Sequence, residues 1–162
     1  MEKKKIKVIF LDIDGTINSY EYYVSDRCTG NLNGVEGDID PLCAERINRI
    51  CEETGAKIVL SSDWRINWPY CIDRIEKGGI EHGLIIDKTP EHMWVEHASE
   101  EFKSRGCEID NWLSQHPECE NFVILDDRKD FTEEQWPHFI HVNSMRGLDD
   151  DDVNFAIQIL NR

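Results

Sequence analysis

The sequence is poor in positive charge: 18 lysines and arginines stand against 33 aspartates and glutamates, a formal net charge of −15. So acidic a chain is ill-suited to non-specific nucleic-acid binding, which works by neutralising phosphates, although a local basic pocket stays compatible with it. No apolar run approaches the ~20 residues needed to cross a bilayer. Residues 1–5 are basic, like the start of a signal peptide. Asp12 and Asp14 nevertheless close the apolar segment behind them too soon, and no small-residue cleavage site follows. The six cysteines contain no Cys-x-x-Cys pair and the six histidines no ligand spacing, so thiol redox chemistry and zinc sites have no support. Internal repeats, linkers and low-complexity stretches are missing too. These absences predict a soluble, cytoplasmic protein with reduced cysteines. The 162 residues suit one domain, and a chain of that size buries about 70% of its unfolded surface without staples.

What is present centres on Ile6-Lys7-Val8-Ile9-Phe10-Leu11-Asp12-Ile13-Asp14-Gly15-Thr16. A β-branched apolar run of this kind reads as a buried strand of a parallel sheet. It ends in two carboxylates, and Gly15 permits a turn behind them. Ligands of open α/β sheets sit beyond the carboxyl ends of the strands. Residues two apart project to one side of a strand, so Asp12 and Asp14 can face one cavity where extended geometry persists. Two poorly solvated carboxylates need a proton or a cation between them. A hard divalent ion such as magnesium suits oxygen ligands.

Further along, the polar, tyrosine-bearing segment at about 17–40 predicts a small flap, with Asn33-Gly34 as a hairpin turn. Asp40-Pro41 is a helix start and Gly55 its stop. Strands are expected at 57–61, 84–86, 122–125 and 139–142, and helices at 100–116 and 148–160. Alternating strands and helices indicate a three-layer, doubly wound parallel α/β sheet. Three strands end in reactive groups: Asp12 and Asp14, then Ser61, then Asp126 and Asp127. Asp149-Asp150-Asp151-Asp152 reads as acidic residues complementing a helix dipole rather than as a calcium site.

These residues resemble the haloacid dehalogenase (HAD) superfamily, specifically its phosphatases. Leu11-Asp12-Ile13-Asp14-Gly15-Thr16 matches the first motif in the form that carries an acid/base Asp. Val59-Leu60-Ser61 matches the second, and Leu125-Asp126-Asp127 the fourth. The third motif is a lysine or arginine near a helix start, for which Lys103 and Arg105 both qualify. Ser61-Ser62-Asp63-Trp64-Arg65 and Arg105-Gly106-Cys107-Glu108-Ile109 are similar to HAD domains of Swiss-army-knife RNA-repair proteins, which favours Arg105.

The resemblance implies a magnesium-dependent phosphomonoesterase. Asp12 would be the nucleophile, forming an aspartyl-phosphate. Asp14 would be the general acid and base, with its backbone carbonyl on the metal. Asp12, Asp14 and Asp126 would hold the magnesium ion, with Asp127 and Asp130 in the outer layer of ligands. Ser61, Thr16 and Arg105 would bind the phosphoryl group. Arg65 and Trp64 would line the mouth, with Lys103 a further substrate contact.

Many relatives insert a cap domain after the first motif or before the fourth. Neither interval has room for one here, so a capless HAD-like Rossmannoid fold is expected. Its substrate would be a polynucleotide end, a nucleotide or another phosphate ester. The rival reading is a phospho-accepting signalling module like a response-regulator receiver. That family carries its acidic pair near the first strand and its phosphoacceptor on a middle one, the reverse of the order here. The oligomeric state is left open.

Overall fold

A computed structural model describes residues 2–28 and 39–162 of the chain. Five parallel strands form one sheet in the order β3-β2-β1-β4-β5: β1 Ile6–Leu11, β2 Lys57–Leu60, β3 Ile85–Lys88, β4 Cys119–Asp126 and β5 Phe139–His141. The chain winds outward from β1 to β2 and β3, then returns to the other side of β1. The crevice beyond β1 is therefore the topological switch point, where such sheets bind ligands.

Alternation along the strands separates two cores. Ile9, Leu11, Ile58, Leu60, Val123 and Leu125 face one layer, built by α2 (Pro41–Thr54), α3 (Tyr70–Lys77) and α5 (Asp150–Leu160). Val8, Phe10, Val59 and Ile124 face the other, where Ile109 and Trp112 of α4 (Arg105–Gln115) cover them. Continuing the same parity past the strands carries Asp12, Ser61 and Asp126 to the α4 side. The period of the strands thus collects chemistry from three of them on one face.

Helix signals in the sequence act as expected at α2. The Asp40 side chain accepts from Leu42 N at 3.0 Å, Pro41 opens the helix, and Gly55 ends it in left-handed geometry at φ 74°. The last helix begins with a capping box: Asp149 and Asp152 exchange side-chain-to-backbone bonds, so part of the acidic run is spent on the N-terminus.

One expectation needs correction. The helix expected from residue 100 starts only at Arg105, because Ser104 caps it, its hydroxyl oxygen accepting from Cys107 N at 3.2 Å. In the expected flap, Tyr20–Tyr23 forms a short helix, α1, capped by Ser19. The hairpin turn at Asn33-Gly34 lies outside the described residues. Among the described residues no second sheet or separate cap interrupts the fold, and no helix is long and apolar enough to cross a membrane.

Candidate active site at the carboxyl ends of β1, β2 and β4

Asp12 continues the pairing of β1, its N–H donating to Leu125 O at 3.0 Å, and is almost wholly buried. Asp126 ends β4 and is fully buried, and Asp127 follows it. Carboxylate oxygens of Asp12, Asp126 and Asp127 lie within 4.8 Å of one another, the only such acidic grouping among the described residues. Behind Asp14 the chain turns at Gly15, φ 83°, where any Cβ would overlap the Asp127 carboxylate. Glycine here serves two needs at once, the left-handed backbone and the approach of the second acidic strand end.

Arg105 enters from the first turn of α4. Its Nη1 donates to Asp126 Oδ2 at 2.7 Å and lies 2.9 Å from Asp12 Oδ1. Asp130 Oδ2 accepts from Arg105 N at 3.0 Å, and Asp130 O from Gly106 N at 3.1 Å. Gly106 permits this contact, since a Cβ would press on Asp130 O and Phe131 Cα at 3.0 Å. Asp130 therefore anchors the helix that carries Arg105, instead of joining the acidic cluster in the outer layer of metal ligands. Lys103 lies in the turn before α4. Arg105 is the cation that reaches Asp12 and Asp126.

One arginine does not balance three carboxylates. Burial, then the Asp126 charge, push Asp12 up to about 8, against the opposing pull of Arg105. Asp126 is raised as well, mainly by burial. For Arg105, burial works against the charge, yet Asp12 and Asp126 outweigh it and hold the guanidinium protonated. Without a further cation these surroundings favour the protonated form of Asp12, which is a poor nucleophile. Three converging oxygen donors on a partly closed surface are a donor set for a hard divalent cation.

Three buried donors have no hydrogen-bond partner: Ser61 Oγ, beyond β2, Arg105 Nε and, away from the acidic cluster, Arg65 Nε. Buried polar atoms are nearly always paired, so an orphan hydroxyl beside the Arg105 guanidinium and the acidic cluster marks where an external oxygen fits. Thr16 is equally buried, but its hydroxyl already donates to Asp12 Oδ2 at 3.4 Å.

The side chain of Asp14 stands apart from the acidic cluster and is exposed. Asn18 Nδ2 donates to its Oδ1 at 3.0 Å, and the indole Nε1 of Trp64 to its Oδ2 at 3.0 Å. Asn18 also accepts from Gly15 N at 2.9 Å, closing the turn. Neither partner was apparent in the sequence. Asn18, four residues beyond Asp14, was the nearer of the two to being legible.

Arg65 is the clear departure. Expected at the mouth, it is buried: its Nη2 donates to both oxygens of Glu108 at 2.9 and 3.0 Å, and its Nη1 to Thr89. Glu108 also accepts from His92 N at 2.8 Å. An arginine held this way cannot swing out to a substrate phosphate, and its place beside the mouth is taken by Trp64.

The sequence profile of the family described as "HAD domain in Swiss Army Knife RNA repair proteins" matches residues 8–153, nearly the whole chain. Comparisons with curated proteins and with solved structures give no match.

Proposed function

The chain belongs to the family of HAD domains found in Swiss Army Knife RNA repair proteins, and from that premise we propose that it is a magnesium-dependent phosphomonoesterase working through an aspartyl-phosphate. The observation that supports this most is the convergence of Asp12, Asp126 and Asp127 beside Arg105 and the orphan Ser61 hydroxyl. Asp12, Asp126 and Asp127 would hold the cation, together with the backbone carbonyl of Asp14. When bound, magnesium supplies positive charge that screens an anionic nucleophile from an anionic phosphate.

In this reading the ionised Asp12 attacks phosphorus, and the ester oxygen leaves with a proton from Asp14. Asp14 then takes a proton from the water that attacks the phosphoryl group on Asp12, which returns both residues to their starting states. Ser61 and Arg105 donate to phosphoryl oxygens as charge gathers on them. Thr16 steadies Asp12. The substrate is a phosphorylated polynucleotide end or a nucleotide, a reading that rests on the family's association with RNA repair. We take residues 1–162 as a single, cytoplasmic catalytic domain. The receiver-like alternative is disfavoured because the nucleophile candidate stands on β1 and the acidic pair on β4.

The deciding experiment is hydrolysis of an aryl phosphate with and without magnesium by wild type and Asp12→Asn, with acid-quench labelling from a 32P substrate. Wild type should turn over and become labelled only with the metal. Asp12→Asn should lose turnover by a factor on the order of 10³ or more while keeping its circular dichroism. Full activity after verified metal removal, or a labelled Asp12→Asn protein, would refute the assignment.

A further inference from the structure

Beside the acidic cluster lies a cleft of about 470 Å³ that Asp14 helps to line. That volume is within the range of small-molecule sites. Its walls come from the 3-10 turn Asp63–Asn67 and the start of α3. The Ser62 side chain accepts from Trp64 N at 3.3 Å and so caps that turn. Trp64 spans the junction. The polar edge of its indole is bonded to Asp14, while its ring carries the Arg74 guanidinium 4.5 Å from the centroid. Tyr70 and Ile66 stand opposite the solvent with little cover, at 83% and 62% exposure. Asn67 adds an amide at the rim.

Because Asp14, the group that would protonate the departing oxygen, also lines this cleft, whatever is esterified to the phosphate has room to extend into it. We infer that the cleft is the leaving-group subsite and that it takes a nucleobase, the base of a nucleoside whose phosphate lies at Asp12. The inference rests on the phosphatase reading and names its substrate class. Two features select a planar ring. Flat side chains line the cleft: a tyrosine left open, and a tryptophan with an arginine stacked on it, the surfaces on which unpaired bases settle. Asn67 offers a donor and an acceptor together, which matches a base edge. In a fold with no cap among the described residues, this cleft supplies the selectivity that a cap would otherwise give. The nucleoside can come as a free mononucleotide or as the end of a strand.

The test compares kcat/KM for adenosine 5′- and 3′-monophosphates, for short oligonucleotides with a terminal phosphate, and for ribose 5-phosphate, which lacks the base. Wild type should prefer the better nucleotide over ribose 5-phosphate by about tenfold or more, in line with the usual strength of one base stack. Tyr70→Ala should cut that preference about tenfold, and Arg74→Ala should also reduce it. Phe155→Ala, an exposed aromatic change on α5, should leave it alone. In parallel, adenosine monophosphate and ribose 5-phosphate are titrated into the Asp12→Asn protein by calorimetry. Tighter nucleotide binding that Tyr70→Ala abolishes supports the subsite. Equal efficiencies and equal binding for the two ligands, or a preference unmoved by both Tyr70→Ala and Arg74→Ala, overturn it. Hydrolysis of aryl phosphate and ribose 5-phosphate would then still uphold the phosphatase. Conversely, no turnover of any ester would sink the phosphatase reading, and the titrations alone would decide whether a base binds.

Discussion

Two arginines, Arg65 and Arg105, are buried to the same extent and paired with carboxylates at similar distances, yet their surroundings differ. Around Arg65 one guanidinium meets Glu108, which also accepts from His92 N, while Thr89 takes the second Nη and Glu91 approaches Nε at 3.8 Å. Around Arg105 one guanidinium meets Asp12 and Asp126, with Asp127 beside them and Asp63 at 3.7 Å. The first centre sets its guanidinium against Glu108 and the more distant Glu91, leaves Arg65 Nε without a hydrogen-bond partner, and is closed. The second carries surplus negative charge and an orphan hydroxyl, and opens on the crevice at the switch point. An ion pair by itself says little about function. An imbalance in a place that solvent and ligands can reach says much more.

The sharpest way to break this comparison is to remove each guanidinium with a side chain of similar length. Arg65→Met leaves Glu108 buried without its counter-charge, which should cost about 3–5 kcal/mol of stability. The double change Arg65→Met/Glu108→Leu should recover much of it, since replacing a buried pair by packed apolar groups is often neutral. Urea unfolding of the three proteins measures both. A loss below about 1 kcal/mol for the single variant would mean that Arg65 is not the structural member of the two.

Arg105→Met should show the converse balance. Removing this guanidinium leaves Asp126 buried without its 2.7 Å partner, so some stability is lost here too. Turnover, however, should fall about 10²–10³-fold, the usual cost of removing one preorganised donor to the reacting group. Retained turnover together with severe unfolding would exchange the roles assigned to the two centres.

The contrast was only half legible in the sequence. Alternation predicted the sheet and the strand ends that carry Asp12, Ser61 and Asp126, because strand period and strand ends are local properties; it also set Asp14 beside Asp12, whereas the Asp14 side chain is exposed and apart from the cluster. Asp40-Pro41 and Gly55 gave the bounds of α2 for the same reason. Arg65 was misplaced because its partner, Glu108, is 43 positions away, and nothing in the run Ser62-Asp63-Trp64-Arg65 tells a buried arginine from an exposed one. Trp64 reaches Asp14 across a gap of 50 positions. Asp130 was close enough to Asp126 to look like an outer ligand, whereas the start of α4 claims it. Charges at strand ends could be read from the chain; how those charges pair could not.

The next effect concerns pH and metal. The folded value for Asp12, about 8, stands above its ordinary 3.8, so between these limits the folded protein binds the proton more tightly than the unfolded chain does. Its burial therefore costs nothing below about pH 4, and costs progressively more as pH rises toward 8. Metal-free protein should lose thermal stability from pH 5 to 8 relative to Asp12→Asn, by on the order of 5 °C. Magnesium should offset this more at pH 8 than at pH 5, because binding the ionised carboxylates releases protons. Melting curves of both proteins in chelator and in magnesium check it. Parallel pH dependences for wild type and Asp12→Asn in chelator would show that Asp12 is ionised without a cation, and the imbalance at Arg105 would lose its meaning.

The smallest change tests the orphan hydroxyl. Ser61 Oγ is buried and unpartnered, so the metal-free fold bears a desolvated polar atom with nothing in return. If it were part of the structural frame, as Thr89 is beside Arg65, its removal should destabilise. If it waits for a phosphoryl oxygen, Ser61→Ala should leave the resting protein as stable as before, or more stable by up to about 1 kcal/mol, because an unmade hydrogen bond has been deleted. The same change should lower kcat/KM about tenfold or more, since the lost donor would have faced a charged oxygen. It should also weaken binding of vanadate or another phosphate analogue in the presence of magnesium. Unfolding curves, steady-state kinetics and a vanadate titration on one protein separate the two cases. Lost stability with unchanged kinetics would place Ser61 with the closed centre; unchanged stability with weakened kinetics and vanadate binding would place it with the open one.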